Sequence, residues 1–360
     1  ATRAALEAQL RDLQAKAETE PDQQQLAIRQ AARQAAGRMD LDEADTRVLI
    51  DVQLTEMGWE ADTATLRYAR GTRPEKGRNL AIAEWPTDSG NVDYALFVGL
   101  TCVGVVEAKR ESVDVPGALK QAERYARSIR LAPENLQEGA PWNDGLEAPF
   151  QVPFAIATNG RPFVQQWLTR SGIWHRDLRR PQNHARALRQ WLAPRDLVAK
   201  LETDVDAAAQ GLAEEVFGKG KLRPYQEEAV YSIEAAIEAG SREVLVSMAT
   251  GTGKTRTSIA LMYRLLKHKR FHRILFLVDR TALGKQTQDA LETTELEGML
   301  NFAQIYKVAG LDQRLPGPDD KVQVATVQAM IARILNEPDP AQRPTPGMYD
   351  CIIVDEAHRG

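Results

Sequence analysis

Two groups of residues in this 360-residue chain combine types and spacings that suit chemistry. The first is Asp93, Glu107 and Lys109. Asp93 opens the run Asp93-Tyr94-Ala95-Leu96-Phe97, and the next apolar run ends in Glu107-Ala108-Lys109. Residues i and i+2 of a strand point to one face, so Glu107 and Lys109 share a face. A hairpin turning near Gly99 sets Asp93 opposite Glu107. Two carboxylates at strand ends offer hard oxygens to Mg²⁺. A lysine beside them positions, or helps deprotonate, an attacking water. These are the parts that hydrolysis of a phosphodiester needs. Gln121-x-x-x-Tyr125 follows at an i,i+4 spacing that puts both residues on one helical face.

The second group is Met248-Ala249-Thr250-Gly251-Thr252-Gly253-Lys254-Thr255. Glycines permit a tight loop whose backbone N–H groups, from Thr250 to Thr255, surround phosphates. Lys254 neutralises the β/γ oxygens, Thr255 ligates Mg²⁺, and a following helix adds its positive dipole end. Met248 replaces the first glycine of the general pattern. Downstream, the apolar run Cys351–Val354 delivers Asp355-Glu356-Ala357-His358. Asp355 is placed to hold Mg²⁺ through water, Glu356 to activate the attacking water, and His358 to sense the γ-phosphate.

Several elements must position these residues. A capped helix is expected from Asp40 to Trp59, with Asp40 or Asp42 as N-cap, Gly58 at its end, and Val48, Leu49, Val52 and Leu54 as apolar positions. Strands are expected at Leu80–Trp85, Asp93–Val98 and Thr101–Glu107. A helix follows from Pro116 to Leu131, then strands Pro153–Thr158 and Phe163–Thr169. From Leu222 the pattern becomes helix 224–239, strand Val244–Ser247, helix 254–268 and strands Ile274–Val278, Val322–Thr326 and Cys351–Val354. Continuous apolar strands alternating with helices indicate a parallel sheet covered on both faces. Residues 1–39 read as a helical extension, 40–200 as one α/β domain, 201–221 as a helical linker, and 222–360 as the second domain.

Composition narrows the class. The two cysteines, Cys102 and Cys351, exclude a disulfide framework. No apolar run approaches the roughly 20 residues of a membrane span, and no secretory leader is visible, so a cytoplasmic setting without a membrane partner is expected. The net charge of −4 advertises no nucleic acid. Locally the balance differs: residues 161–200 hold nine Lys/Arg against two acids, with Trp167, Trp174 and Trp191 interleaved. That stretch suits a phosphate backbone; it reads equally as a solvated face over core tryptophans.

The phosphate loop and the later Asp355-Glu356-Ala357-His358 resemble a superfamily 2 helicase or translocase motor, a partial RecA-like lobe. Leu222-Arg223-Pro224-Tyr225-Gln226 resembles the adenine-reading glutamine motif of that family. Leu277–Thr281 and Val324–Gln328 resemble its strand-binding motifs. The set Asp93, Glu107, Lys109, Gln121, Tyr125 is similar to the PD-(D/E)-x-K nuclease fold. The resemblance implies a supporting acid on the first helix, for which Glu43 is the best match and Asp42 or Asp45 the alternatives. Val92 stands where the family name has proline.

Nuclease first and motor second resembles the restriction subunit of type I restriction–modification enzymes. That resemblance covers residues 40–360. It implies ATP and Mg²⁺ as cofactors, unmodified double-stranded DNA as substrate, and modification (methyltransferase) and specificity subunits as partners. Two other readings stay open: a methyltransferase-independent nuclease–helicase, and a remodelling ATPase whose nuclease-like domain only binds DNA. The motor reading expects more of the lobe beyond His358, and expects these 360 residues alone to hydrolyse ATP poorly.

Overall fold

The computed structural model describes residues 43–357 apart from 110–114, 144, 146–147, 162–170, 182, 219–220, 250, 298–299 and 340–341. The expected helices before residue 40, the caps Asp40 and Asp42, the strand Phe163–Thr169 with Trp167, Thr250 and His358 lie outside the described residues. The chain forms two compact units, residues 1–194 and 195–360.

The first unit opens with α1 (Glu43–Glu56). Thr46, Leu49, Ile50 and Leu54 are buried, while Val48 and Val52 are exposed. Two of the four expected apolar positions therefore face outward, and the buried stripe passes through Thr46 and Ile50 instead. Gly58, at φ +88, ends the turn after the helix as expected. Trp59 is buried and donates to the Leu192 carbonyl at 3.0 Å.

A seven-stranded sheet follows in chain order: β1 (Glu60–Ala61), β2 (Asn79–Thr87), β3 (Gly90–Val98), β4 (Thr101–Ala108), β5 (Phe154–Thr158), β6 (Ile173–Asp177) and β7 (Arg186–Leu188). β2, β3 and β4 form an antiparallel meander. β5 joins β4 in parallel, and a parallel neighbour requires a crossover, here α2 (Val115–Ser128). α2 buries Val115, Ala118, Leu119, Ala122 and Ala126, a helical stripe, in one cluster with Leu80, Ile82, Trp85, Val92, Ala95, Phe97 and Val105. The core-facing sequence on β2 runs Leu80, Ile82, then Trp85, and on β3 Phe97, Ala95, then Val92. Alternation slips on both strands, at Glu84 and at Asp93. Glu84 has φ +54, and the β2–β3 ladder lacks a pair between Ala83–Tyr94 and Trp85–Val92.

The second unit contains α3 (Pro194–Leu201, whose first residue belongs to the first unit), α4 (Val205–Glu214), α5 (Pro224–Glu238), α6 (Lys254–Lys267), β8 (Ile274–Val278), α7 (Thr281–Thr293), the hairpin β9 (Glu295–Glu297) and β10 (Leu300–Asn301), β11 (Val308–Ala309), β12 (Val322–Thr326), α8 (Val327–Leu335) and β13 (Cys351–Val354). Its main sheet is parallel throughout, in the order β11-β12-β8-β13. Buried residues of α6, from Ile259 to Leu266, share one core with Ile274, Phe276, Val278, Val322 and Val324. Within the expected linker, α4 is capped by Asp204, which accepts from Asp206 and Ala207. Arg264, 1% exposed, ties α4 and α5 to α6. It donates to Glu234 at 2.7 Å and to the carbonyls of Leu212 and Glu215 at 2.7 and 2.8 Å. A buried guanidinium with this many acceptors is a rigid joint.

One expected element does not form. Val244–Ser247 is not a strand, and Val244, Leu245 and Val246 are all exposed. Apolarity alone does not make a strand; the backbone must find a ladder. β13 ends the sheet pairing only with β8, and its Ile352 and Val354 are exposed as well.

The parallel β4–β5 contact sets a stability prediction. A Cβ at Gly104 would lie 2.8 Å from the Phe154 carbonyl oxygen, a backbone atom that cannot step aside. Gly104→Ala should destabilise the first unit by about 1–3 kcal/mol. Thermal unfolding by circular dichroism checks this; an unchanged melting temperature would contradict the close strand approach.

Candidate active sites

The first site stands on β3 and β4. The ladder pairs Tyr94 with Val106 and Ala95 with Val105, and the next step of that register sets Asp93 against Glu107, as the hairpin argument expects. Both carboxylates are buried, at 8% and 3% exposure. One Asp93 oxygen accepts the Ala108 N–H at 2.8 Å, and the other accepts from Arg47. Glu107 accepts from the Lys109 ammonium at 2.5 Å, so these two side chains do meet on one face. The Lys109 N–H donates to the Thr158 carbonyl at 2.8 Å, which fixes the backbone against β5.

Burial raises the pKa of Asp93, against the pull of Arg47, the Ala108 N–H and Lys109. Glu107 is pushed up to about 7, by burial first and then by the negative charge of Asp93, with Lys109 opposing. Two desolvated carboxylates that repel each other and hold hard oxygens together are the donor set a divalent cation suits. Asp93 and Glu107 are therefore the residues able to hold Mg²⁺. Among the described residues no group of three or more His, Cys, Asp or Glu side chains converges to hold a metal ion. Glu43 begins α1, one turn before Arg47, and the position of its side chain lies outside the description. Gln121 donates to the Tyr125 hydroxyl at 3.0 Å. That bond joins the pair along α2, and among the described residues neither bonds to Asp93 or Glu107.

Three residues at this site were not singled out as functional from sequence. Arg47 reaches both Asp93 and, at 3.4 Å, Glu84. Arg67 also pairs with Glu84. A signal existed: Glu84 is a lone charge inside the apolar run Leu80–Trp85.

The second site surrounds the loop before α6. Gly251 and Gly253 have φ of +80 and +85, which only glycine adopts cheaply, and Gly253 is the N-cap of α6. Lys254 and Thr255 open the helix. The Thr252 hydroxyl donates to the Ala249 carbonyl at 2.6 Å, and the Thr252 carbonyl accepts from Gln226 at 2.8 Å and from Tyr225 at 2.9 Å. Gln226 is buried, and its side-chain oxygen accepts the Arg223 N–H at 2.9 Å. It thus clamps the loop to the start of α5. Across the sheet end, Asp355 donates its N–H to the Leu277 carbonyl at 2.9 Å and accepts the Glu356 N–H at 3.0 Å. Glu356 has φ +54 and pairs with the Lys254 ammonium at 2.7 Å. Lys254 and the Asp355-Glu356 segment therefore meet beside the loop.

The basic stretch 161–200 is less open than its charge suggests. Trp191 is buried and donates to Gln53 at 3.0 Å; Trp174 packs on the core. Arg176 pairs with Glu123 at 3.0 Å and Arg179 with Asp177 at 2.8 Å. These tryptophans and arginines serve the fold. Among the described residues no helix is long and apolar enough to cross a membrane.

The carboxylate geometry yields a pH prediction. Glu107 takes up its proton more readily in the folded state than the ordinary value of 4.5 allows. The folded chain then binds more protons than the unfolded chain between pH 4.5 and about 7, so stability falls as pH rises through that window. In chelator at pH 8, Glu107→Gln should melt at a higher temperature than the wild type and show a flatter pH profile. Mg²⁺ should raise the wild-type melting temperature at pH 8. A variant that melts lower than wild type would show that the buried charge is not the dominant cost.

Residues 60–201 match the family described as the second domain of the type I restriction enzyme EcoKI endonuclease subunit. Residues 219–360 match the type III restriction enzyme res subunit family. The chain is 43% identical over 348 residues to the type I restriction enzyme EcoKI endonuclease subunit of Escherichia coli K12, covering 89% of this chain and 29% of that protein. It is 27% identical over 274 residues to the EcoAI endonuclease subunit of E. coli, covering 72% of this chain and 28% of that protein. The chain thus spans less than a third of the length of these relatives. A structure described as a fragment of an HsdR subunit from Vibrio vulnificus YJ016 aligns at a TM-score of 0.29 and 21% identity, covering 89% of this chain and 52% of that one. Over the residues it shares with them, the chain is homologous to the endonuclease subunits of type I restriction enzymes.

Proposed function

We propose that this chain carries the nuclease and the nucleotide-binding half-site of an ATP-dependent, Mg²⁺-requiring endonuclease and DNA translocase. Its substrate is unmodified double-stranded DNA, and its partners are the modification and specificity subunits of a restriction complex. The observation that carries the reading is the meeting of Asp93, Glu107 and Lys109 at adjacent strand ends, with Lys109 at 2.5 Å from Glu107. Silent nuclease-like domains have no need to bury two repelling carboxylates, so the intact set speaks against a mere DNA clamp.

Each residue then has a role. Asp93 and Glu107 hold the metal, with Glu43 in support, and bound Mg²⁺ supplies a Lewis acid for a phosphate oxygen. Lys109 orients the attacking water and offers positive charge to the phosphate. Gln121 and Tyr125 orient DNA against the site. At the second site Gln226 recognises adenine, while Thr250 to Thr255 and Asp355 hold the phosphates and their Mg²⁺. The Lys254–Glu356 pair is a resting contact. When Lys254 turns to the β/γ oxygens, Glu356 is released to act on water.

The two sites should separate genetically in the full-length subunit assembled with its partners. Lys109→Ala should lower DNA cleavage by at least about 100-fold while DNA-stimulated ATPase continues. Lys254→Ala should abolish ATPase, translocation and ATP-dependent cleavage together. Plasmid linearisation and phosphate release measured side by side give both readouts. Wild-type cleavage by Lys109→Ala would overturn the nuclease assignment.

A further inference from the structure

The residues around Asp93 carry more than the nuclease pattern requires. Glu84 sits in β2 with φ +54, at the gap in the ladder across from Asp93. Side chains other than glycine rarely hold that conformation, so something must retain it. One oxygen of Glu84 is shared by two guanidinium groups: Arg47, at 3.4 Å, and Arg67. Arg67 is brought there by its own backbone bridge to Ala83, beside the Leu66 carbonyl that accepts the Ala83 N–H at 2.8 Å. Arg47 also grips Asp93.

Among the described residues, ion pairs here set Arg47, Arg67 and Lys109 against Asp93, Glu84 and Glu107. Asp51, also on α1, accepts from the Tyr94 hydroxyl at 2.9 Å and from Thr63. Without Glu84 the group would carry one negative charge fewer. Arg47 would also have one carboxylate fewer to share, and its positive charge would bear more fully on Asp93. Both effects oppose a divalent cation at Asp93 and Glu107.

We propose that Glu84 is a positioning residue of the nuclease: it draws off the charge of Arg47 and Arg67 so that Asp93 and Glu107 can take a divalent cation. This rests on the reading of Asp93 and Glu107 as metal ligands. Glu84 itself touches neither the metal nor the DNA; it acts through Arg47.

The test uses the full-length subunit, with Mg²⁺ titrated in the absence of nucleotide and followed by melting temperature. Cleavage by the assembled complex against Mg²⁺ concentration is the second readout. Glu84→Gln keeps the shape and removes the charge; it should raise the Mg²⁺ midpoint about tenfold in both readouts, with saturated cleavage close to wild type. Glu84→Gly relieves the backbone and should raise the midpoint equally. The double variant Arg67→Gln with Glu84→Gln restores the charge balance and should bring the midpoint back to within about twofold of wild type. An unchanged midpoint in Glu84→Gln, or a double variant no better than the single, overturns the proposal. Asp93→Asn separates the two levels of the argument. If wild type responds to Mg²⁺ no more than Asp93→Asn does, the metal-ligand reading itself fails. If wild type responds and Glu84→Gln matches it, only the role of Glu84 fails.

Discussion

Burying one carboxylate beside another costs free energy twice, once for desolvation and once for repulsion, and the first unit is arranged around that cost. Asp93 and Glu107 sit at neighbouring strand ends with very little exposure. The meander β2-β3-β4 exists to bring them together: a shorter hairpin or a one-residue slip would turn one of them to the wrong face. Three contacts keep the pair tolerable. A backbone N–H from Ala108 meets one Asp93 oxygen, Arg47 meets the other, and Lys109 meets Glu107. Such a pair is poor structural cement, because a well-packed apolar pair stabilises more. Amid a mostly apolar set of buried residues, such a pair suits the metal-binding role proposed above.

The second unit applies the same economy differently. Lys254 and Glu356 come from opposite ends of the lobe's sequence and neutralise each other. Each is only partly exposed, and each belongs to a segment held elsewhere: Lys254 opens α6, and Glu356 follows a strand fixed by the Asp355 bond to Leu277. Gln226 and Tyr225 both hold the Thr252 carbonyl, so the loop is tied to α5. A nucleotide arriving there meets groups already engaged with one another. In the function proposed above, nucleotide binding exchanges those contacts, which couples occupancy of the loop to the acidic motif without any additional element.

Much of this was legible because it is periodic or punctuated. Ile274–Val278, Val322–Thr326 and Cys351–Val354 are strands at the expected bounds. Continuous apolar runs of that length flanked by turns have few other fates. The nuclease strands and α2 were legible within one to three residues for the same reason. Val244–Ser247 was not, since a run with the right composition still needs a neighbour and the apolar pattern says nothing about which. The exposed Val48 and Val52 show a related limit: in α1 the buried stripe is set by Thr46 and Ile50, and a β-branched polar residue in the stripe escapes a purely apolar count. In the basic stretch 161–200, Arg176 and Arg179 are held by Glu123 and Asp177, pairings that a charge count along the sequence does not reveal.

The least legible feature is Glu84, and it explains why the carboxylate site has its shape. Sequence shows a charge in an apolar strand; it does not show that the backbone there turns left-handed, or that the β2–β3 ladder opens at that point. A regular strand would have carried alternation straight through, leaving either Glu84 or Trp85 on the wrong face. The left-handed residue lets Trp85 stay in the core with Tyr68 and Phe97, while Glu84 goes to the arginines. Any L-residue held at such a φ costs about 1 kcal/mol or more, and glycine would remove that cost. Glycine could not, however, hold two guanidinium groups. A carboxylate at a position that favours glycine therefore fits the role proposed for its charge, which acts on Arg47 and Arg67 and, through Arg47, on Asp93.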